Sequence, residues 1–256
     1  MKRILHSLAL AAIILQSCIV EEENARFNVR LTDAPADYQE VLIEIVDIQF
    51  SEGDQDLENE WISLNRVKTG KYNLLDFTNG LDTLLVSDVL PPGHISQIRL
   101  ILGDENFIKM DGEYHALKTP SAQQSGLKLK TNIDLIEGVN YDLWIDFNAA
   151  KSIVDNKNFF ILKPVIRTFT EATSGAITGV MTPNETRFEI NAVSENLNDT
   201  LSTYSDTISG KFMFKGVADG KYHLKIKDEI NKQEIYIDNV VVEIGESTNL
   251  GTISLN

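Results

Sequence analysis

The sequence predicts an all-β fold of two β-sandwich-type domains in series, and three observations carry that expectation. Apolar residues recur at alternate positions through most of the chain after residue 26. Glycine-containing turn pairs such as Asp111-Gly112 and Glu137-Gly138 separate the extended runs. Helical spacing is nearly missing, and Asn148 to Val154 is the one stretch that reads as a short capped turn.

The chain opens with Lys2 and Arg3, an unbroken apolar run from Leu8 to Leu15, and Ser17 before Cys18. The run is too short to span a bilayer and has the layout of a secretory signal. Leu15, Ser17 and Cys18 resemble the lipobox of bacterial lipoproteins, although Gln16 departs from the small residue usual there. The resemblance implies a lipoprotein signal peptide over residues 1–17, cleavage before Cys18, acylation of Cys18 and a membrane anchor through that lipid. Two or three acyl chains hold a protein firmly where one does not. Glu21, Glu22 and Glu23 in the tether, residues 18–25, are similar to the acidic export signal of lipoproteins on the outer face of the outer membrane in some Gram-negative groups. A solvated charged spacer accounts for them as well.

Residues 26–170 are expected to form the first domain. In "ISQIRLILG", Ile98, Leu100 and Leu102 take one face and Gln97 and Arg99 the other. "FIKMDGEYHAL" reads as a hairpin turning at Asp111-Gly112. "KLKTNIDLIEGVNYDLWIDF" reads as a second hairpin turning at Glu137-Gly138, with Leu143, Ile145 and Phe147 on one face. "NFFILKPVIRTF" reads as a further strand, with Pro164 marking an edge or a bulge. "EATSG", residues 171–175, is the natural linker to a second domain over 175–256. There Phe212, Phe214 and Val217 point inward, the chain turns near Asp219-Gly220, and Tyr222, Leu224 and Ile226 point inward again. Lys221, His223, Lys225 and Lys227 take the wet face.

Two family resemblances rest on these segments. Gly175, Ile177 and Gly179, the G-x-F-x-F-x-x-V-x-x-G-x-Y run from Gly210 to Tyr222, and Leu250-Gly251 make the second domain similar to the carboxypeptidase-regulatory-like or transthyretin-like β-sandwich module. The first domain resembles a domain-of-unknown-function family of bacterial lipoproteins that opens with an LTDAP motif, here Leu31 to Pro35. "LLDFTNG", "LPPGHISQIRLIL", "GLKLKT", "WIDFNAAKSIV" and "LKPVIR" are further matching pieces. Asn148 stands where members often carry aspartate, which weakens a metal role for that motif. The resemblance implies a lipoprotein and a β fold, and no activity.

Removal of residues 1–17 would take the formal net charge from −15 to −17, which disfavours nucleic acid and anionic headgroups as partners. Cys18 is the only cysteine, so stability must come from packing and not from intramolecular disulfides. The alternate acids Asp54, Asp56, Glu58 and Glu60 suggest a calcium loop, but Asn59 and Asn65 stand where an EF-hand starting at Asp54 needs glycine and glutamate. A solvated hairpin is the better reading. Asp33 is expected to bond backbone amides in a turn closed by Pro35. Asp142 and Asp146 flank Trp144 on one strand face; paired carboxylates can do acid/base work, but such acids are expected to be wet. Trp61 and Trp144 are expected in the core.

His94, His115 and His223 belong to no zinc-protease signature, no nucleophile-elbow motif is present, and His223 reads as an ordinary exposed histidine. The sequence therefore points to no catalytic residue, no metal and no cofactor. Asp82-Thr83-Leu84, Asp199-Thr200-Leu201 and Asp206-Thr207-Ile208 resemble bacterial O-glycosylation sites and make Thr83, Thr200 and Thr207 candidates for modification. The expected function is that of a lipid-anchored outer-membrane module, surface-exposed if the acidic signal acts, binding a protein or glycan that the sequence does not identify. The alternatives are a carboxylate-dependent hydrolase, which requires Asp142 or Asp146 in a concave pocket with a raised pKa, and a structural subunit of an envelope assembly.

Overall fold

The computed structural model describes residues 24–53, 61–119, 125–157, 159–196 and 200–255. The signal-like segment, Cys18, the acidic residues 21–23, the Asp54–Glu60 run and Asp199 lie outside the described residues. Among the described residues, alternation of apolar side chains yields twenty strands. In chain order they are β1 (Ala25–Ala34), β2 (Glu40–Ser51), β3 (Ile62–Ser63), β4 (Gly70–Asn73), β5 (Thr83–Leu90), β6 (Gly93–Leu102), β7 (Phe107–Met110), β8 (Glu113–Lys118), β9 (Leu127–Leu135) and β10 (Asn140–Asn148). There follow the one-turn helix α1 (Ala149–Ser152), β11 (Ile153–Asp155), β12 (Phe160–Leu162), β13 (Ile166–Thr170), β14 (Gly175–Thr182), β15 (Phe188–Ser194), β16 (Thr200–Tyr204), β17 (Lys211–Val217), β18 (Gly220–Asp228), β19 (Glu234–Val242) and β20 (Ser247–Ser254). The all-β expectation holds.

In the first unit two sheets face each other over one apolar layer.
One sheet runs β13-β10-β1-β5, with β1 parallel to β10; the other runs β11-β12-β8-β7-β2-β6-β9, with β3 and β4 also paired to β2. Phe27, Val29, Leu31, Leu143, Ile145 and Phe147 from the first sheet meet Ile43, Ile45, Ile48, Ile98 and Leu100 from the second, all fully or almost fully buried. A second, separate core holds Ile177, Phe188, Ile190, Phe212, Phe214, Leu224 and Ile226 between the sheets β17-β14-β20 and β16-β15-β18-β19. The inward faces expected for β6, β10, β17 and β18 are the inward faces observed.

Pairing differs from expectation at two places. Asp111 and Gly112, both at positive φ, do join β7 and β8 as a hairpin. By contrast, β9 and β10 are not partners: β9 pairs with β6 in one sheet and β10 with β1 and β13 in the other, so the Glu137-Gly138 turn is an arch over the end of the core. The reason is in the side chains, since Ile133 and Leu135 can face Leu143 and Ile145 across the core only if the two strands enter opposite sheets. The expected single strand around Pro164 is likewise two: β12 lies in one sheet and β13 in the other, with the break at residues 163–165. Asn148 caps α1 as expected, its side chain accepting a hydrogen bond from the Lys151 amide.

Candidate functional site

Alternation along β1, β10 and β13 puts Leu31, Ile145 and their neighbours inward, and leaves Arg30, Thr32, Asp142, Trp144, Asp146, Arg167 and Phe169 on the outer face of the sheet. Register aligns Thr32 with Asp146 and Asp146 with Arg167, and one step along aligns Arg30 with Trp144 and Trp144 with Phe169. This outer face is covered by β17 of the C-terminal unit. Gly216, at φ +64, makes the approach close: a Cβ there would stand 2.1 Å from the Phe169 ring.

The seam gathers charge. Arg167 donates to Asp146 Oδ2 at 2.6 Å and, across the seam, to the carbonyls of Gly216 at 2.6 Å and Lys215 at 2.5 Å. Trp144 stacks on Phe169 with ring centroids 5.5 Å apart and planes 2° from parallel. Its Nε1–H donates to Asp82 Oδ2 at 3.0 Å, and the Arg30 and Lys215 cations lie 5.8 and 5.7 Å from its ring. Asp82 also pairs with Arg30 at 2.9 Å and, from the C-terminal unit, with Lys215 at 3.4 Å. Arg187 supplies a second fastening, to Asp37 at 3.3 Å and to the Pro35 carbonyl at 3.4 Å, while lying 3.9 Å over Tyr204. Lys151 and Asn148 reach Ser202.

The carboxyl groups respond to this environment in different directions. Burial pushes Asp82 up, but the Trp144 N–H and the Arg30 and Lys215 cations outweigh it and hold the carboxyl below its usual range. Burial raises Asp146, with Arg167 opposing. Asp33 is raised well above its usual value, first by burial, with the Ala149 amide opposing and the nearby Asp146 charge adding to the rise. Asp33 Oδ1 accepts from the Ala149 amide at 3.0 Å, while Oδ2 meets no hydrogen-bond partner among the described residues. The expected turn around Asp33 is thus corrected: its main partner is the start of α1, far along the chain, because Asp33 ends the inward row of β1.

Replacing Asp33 by asparagine keeps that acceptor and removes the charge. A carboxyl raised in the folded state binds its proton more tightly there than in the unfolded chain, so it costs stability as pH rises from the unfolded value near 3.8 to the folded value, and the loss is then constant. The Asp33→Asn variant is expected to match the wild type near pH 4 in urea midpoint and to exceed it progressively at higher pH. A pH-independent difference would rule out Asp33 as its source.

Two openings adjoin these groups: a small cavity of about 30 Å³ lined by Asp33, Asn79, Asp146, Arg167 and Lys215, and a cleft of about 240 Å³ lined by Asn148, Lys151, Val165, Arg167 and Ser202 with Asp146 at its edge. The Asp146 side chain is only 16% exposed, so it is not wet, contrary to expectation; Asp142 is about a third exposed and paired with Arg30 at 2.8 Å. Trp144 is buried, but in the seam and not in the sandwich core. Trp61 is half-buried beneath Arg99, whose guanidinium lies 4.6 Å from its ring, which also explains why Arg99 is buried on a face expected to be wet.

The remaining candidates lie apart. His223 is half exposed but bridges Asp238 at 2.7 Å and Glu195 at 3.2 Å; His94 pairs with Asp134 at 2.7 Å; His115 rests on Phe160. Thr83 starts the edge strand β5 and is half-buried, Thr200 is exposed at the start of β16, and Thr207 is exposed in a turn that Asp206 holds by accepting from Ser209. Among the described residues no three His, Cys, Asp or Glu side chains are grouped to hold a metal ion, and no helix is long and apolar enough to cross a membrane.

Residues 24–164 match the family described as Domain of unknown function (DUF4382). No curated protein matches the chain. Similar solved structures include the fimbrial anchor protein Mfa2 from Porphyromonas gingivalis, at 10% identity over 90% of this chain and 90% of that one with a TM-score of 0.24. The C-terminal fragment of pilus adhesin SpaC from Lactobacillus rhamnosus GG is 12% identical over 90% of this chain and 98% of that one, with a TM-score of 0.21. A leucine-rich repeat protein from Bacteroides thetaiotaomicron is 10% identical over 91% of this chain, which spans only 26% of that one, with a TM-score of 0.23. TM-scores this low establish no common architecture.

Proposed function

This chain belongs to the family described as Domain of unknown function (DUF4382), and from that premise we propose that it is a non-enzymatic, lipid-anchored module of the cell envelope that presents a braced pair of β-sandwiches to a protein or glycan. The observation that carries the reading is the seam. Asp82 and Asp146 pair with Arg30, Lys215 and Arg167, and Lys215 and Arg167 tie the two units together, which is how a spacer or adhesive module uses charge, whereas a reaction centre keeps a reactive group available to substrate. The lipid on Cys18, the outer membrane and export to the cell surface belong to the proposal and rest on the N-terminal sequence. O-glycans on Thr83, Thr200 or Thr207 belong to it as well; an intact mass equal to the lipidated polypeptide alone would remove them.

The test begins with Cys18→Ala. Cells fed a labelled fatty acid are expected to label the wild type and not the variant, and added protease is expected to digest the wild type on intact cells. Equal labelling of both would refute the anchor; a labelled but protected protein would confine it to the periplasmic side.

A carboxylate-dependent hydrolase is the second reading, because Asp146 does sit at a cleft with a raised pKa. It requires a hydrolytic turnover of glycan or ester substrates that Asp146→Asn abolishes in a folded protein. The 2.6 Å ion pair between Arg167 and Asp146 Oδ2 counts against it, since the guanidinium opposes the rise in the Asp146 pKa that an acid or base at neutral pH requires.

A further inference from the structure

Strand β1 has two ends with different surroundings. At its last residues, Asp33 and Ala34, and at Pro35 just beyond, it meets the C-terminal unit. Its first residue, Ala25, lies about 30 Å away along an extended strand, and this is the end from which the chain runs back to Cys18. Two connections converge on it. Ala25 pairs with Leu90, so the β5–β6 link at Pro91 and Pro92 is beside it. The Arg26 amide donates to the Val139 carbonyl, so the β9–β10 arch is beside it too. Their register partners close the group, since Gly93 pairs with Leu135.

Apolar side chains are uncovered on these two connections and at the adjoining end of β5, with Arg26 and Glu137 exposed beside them. Ile136 is 61% exposed, Val89 48% and Val139 39%, and Pro91 and Pro92 are exposed as well. Single exposed aliphatics are ordinary, but Ile136 and Val139 on one connection, Pro91 and Pro92 on the other and Val89 at the end of β5 make a patch. Leu90 and Leu135 behind them are buried in the core, so the patch rests on a rigid base.

From these observations we propose that this end of the first unit docks onto the lipid surface that holds the anchor, with Ile136, Val139 and Val89 seated at the headgroup–acyl boundary. The proposal rests on acylation of Cys18. Six residue steps separate Cys18 from Asn24 and span at most about 20 Å even when fully extended, so an anchored protein keeps this end, and not the C-terminal unit, beside the membrane. The chemistry selects the lipid. Aliphatic turns enter an uncharged interface, whereas a mature chain of formal net charge −17 is repelled by anionic headgroups. Docking would orient β1 away from the membrane and carry the C-terminal unit outward.

The test uses the full chain with one additional cysteine, Ile136→Cys or, as a control on the C-terminal unit, Ile208→Cys, each labelled with an environment-sensitive dye. The proteins are reconstituted into phosphatidylcholine vesicles containing brominated lipid, and the mass of the Cys18 peptide is measured on the same samples. The expected result is acylated Cys18 with a blue-shifted label at position 136, quenched severalfold more strongly than the label at 208. Acylated Cys18 with equal quenching at the two positions would overturn the docking and leave the anchor standing. A Cys18 peptide without acyl chains would overturn both.

Discussion

Replacing Arg167 by alanine is expected to destabilise the protein by about 3 kcal/mol and to split its urea unfolding into two transitions. The side chain is the point at which the units are joined, donating to Asp146 on its own sheet and to two backbone carbonyls of the other unit. Removing one partner of a buried pair typically costs about 3–5 kcal/mol, because the other charge stays buried and uncompensated. Arg167 is 32% exposed, which places the expected loss at the low end. The attribution has an internal check. Adding Asp146→Asn to Arg167→Ala removes the stranded charge, so the double variant is expected to be more stable than Arg167→Ala alone. A single transition with an unchanged midpoint in Arg167→Ala would mean that the ion pair joins nothing.

Trp144→Ala is expected to cost about 3–5 kcal/mol, the range for deleting a large buried aromatic. The indole is 4% exposed, lies flat on Phe169, and gives Asp82 one of the hydrogen bonds that keep it ionised. Trp144→Phe retains a ring for the stack and loses the N–H, and a smaller loss of about 1–3 kcal/mol is expected from the hydrogen bond to a charged acceptor. Chemical denaturation monitored by circular dichroism reads both values. If phenylalanine proved as damaging as alanine, the hydrogen bond to Asp82, and not the stack, would dominate at this position.

Period-two alternation was enough to assign the inward faces of β6, β10, β17 and β18, because a side chain's face in a strand depends only on its neighbours in sequence. Strand partners are a different matter. Asp-Gly is a stronger hairpin signal than Glu-Gly, but what separates the hairpin at Asp111-Gly112 from the arch at Glu137-Gly138 in the fold is whether the inward residues lie side by side or face to face. The seam was hidden for a related reason. The face carrying Trp144 and Asp146 reads as wet until β17 covers it, and the covering depends on Gly216 and Phe169 fitting together. Asp82 shows the limit most clearly: its local sequence resembles a modification site, yet its partners Arg30, Trp144 and Lys215 lie 52, 62 and 133 residues away.

If the seam braces the two units into one body, the distance between them is fixed. Spin labels at Glu113→Cys and Lys221→Cys, both exposed positions on different units, placed in a Cys18→Ala background, report that distance by pulsed electron resonance. One narrow distribution is expected with the wild-type seam and a broad one after Arg167→Ala. A broad distribution with the seam intact would contradict the brace.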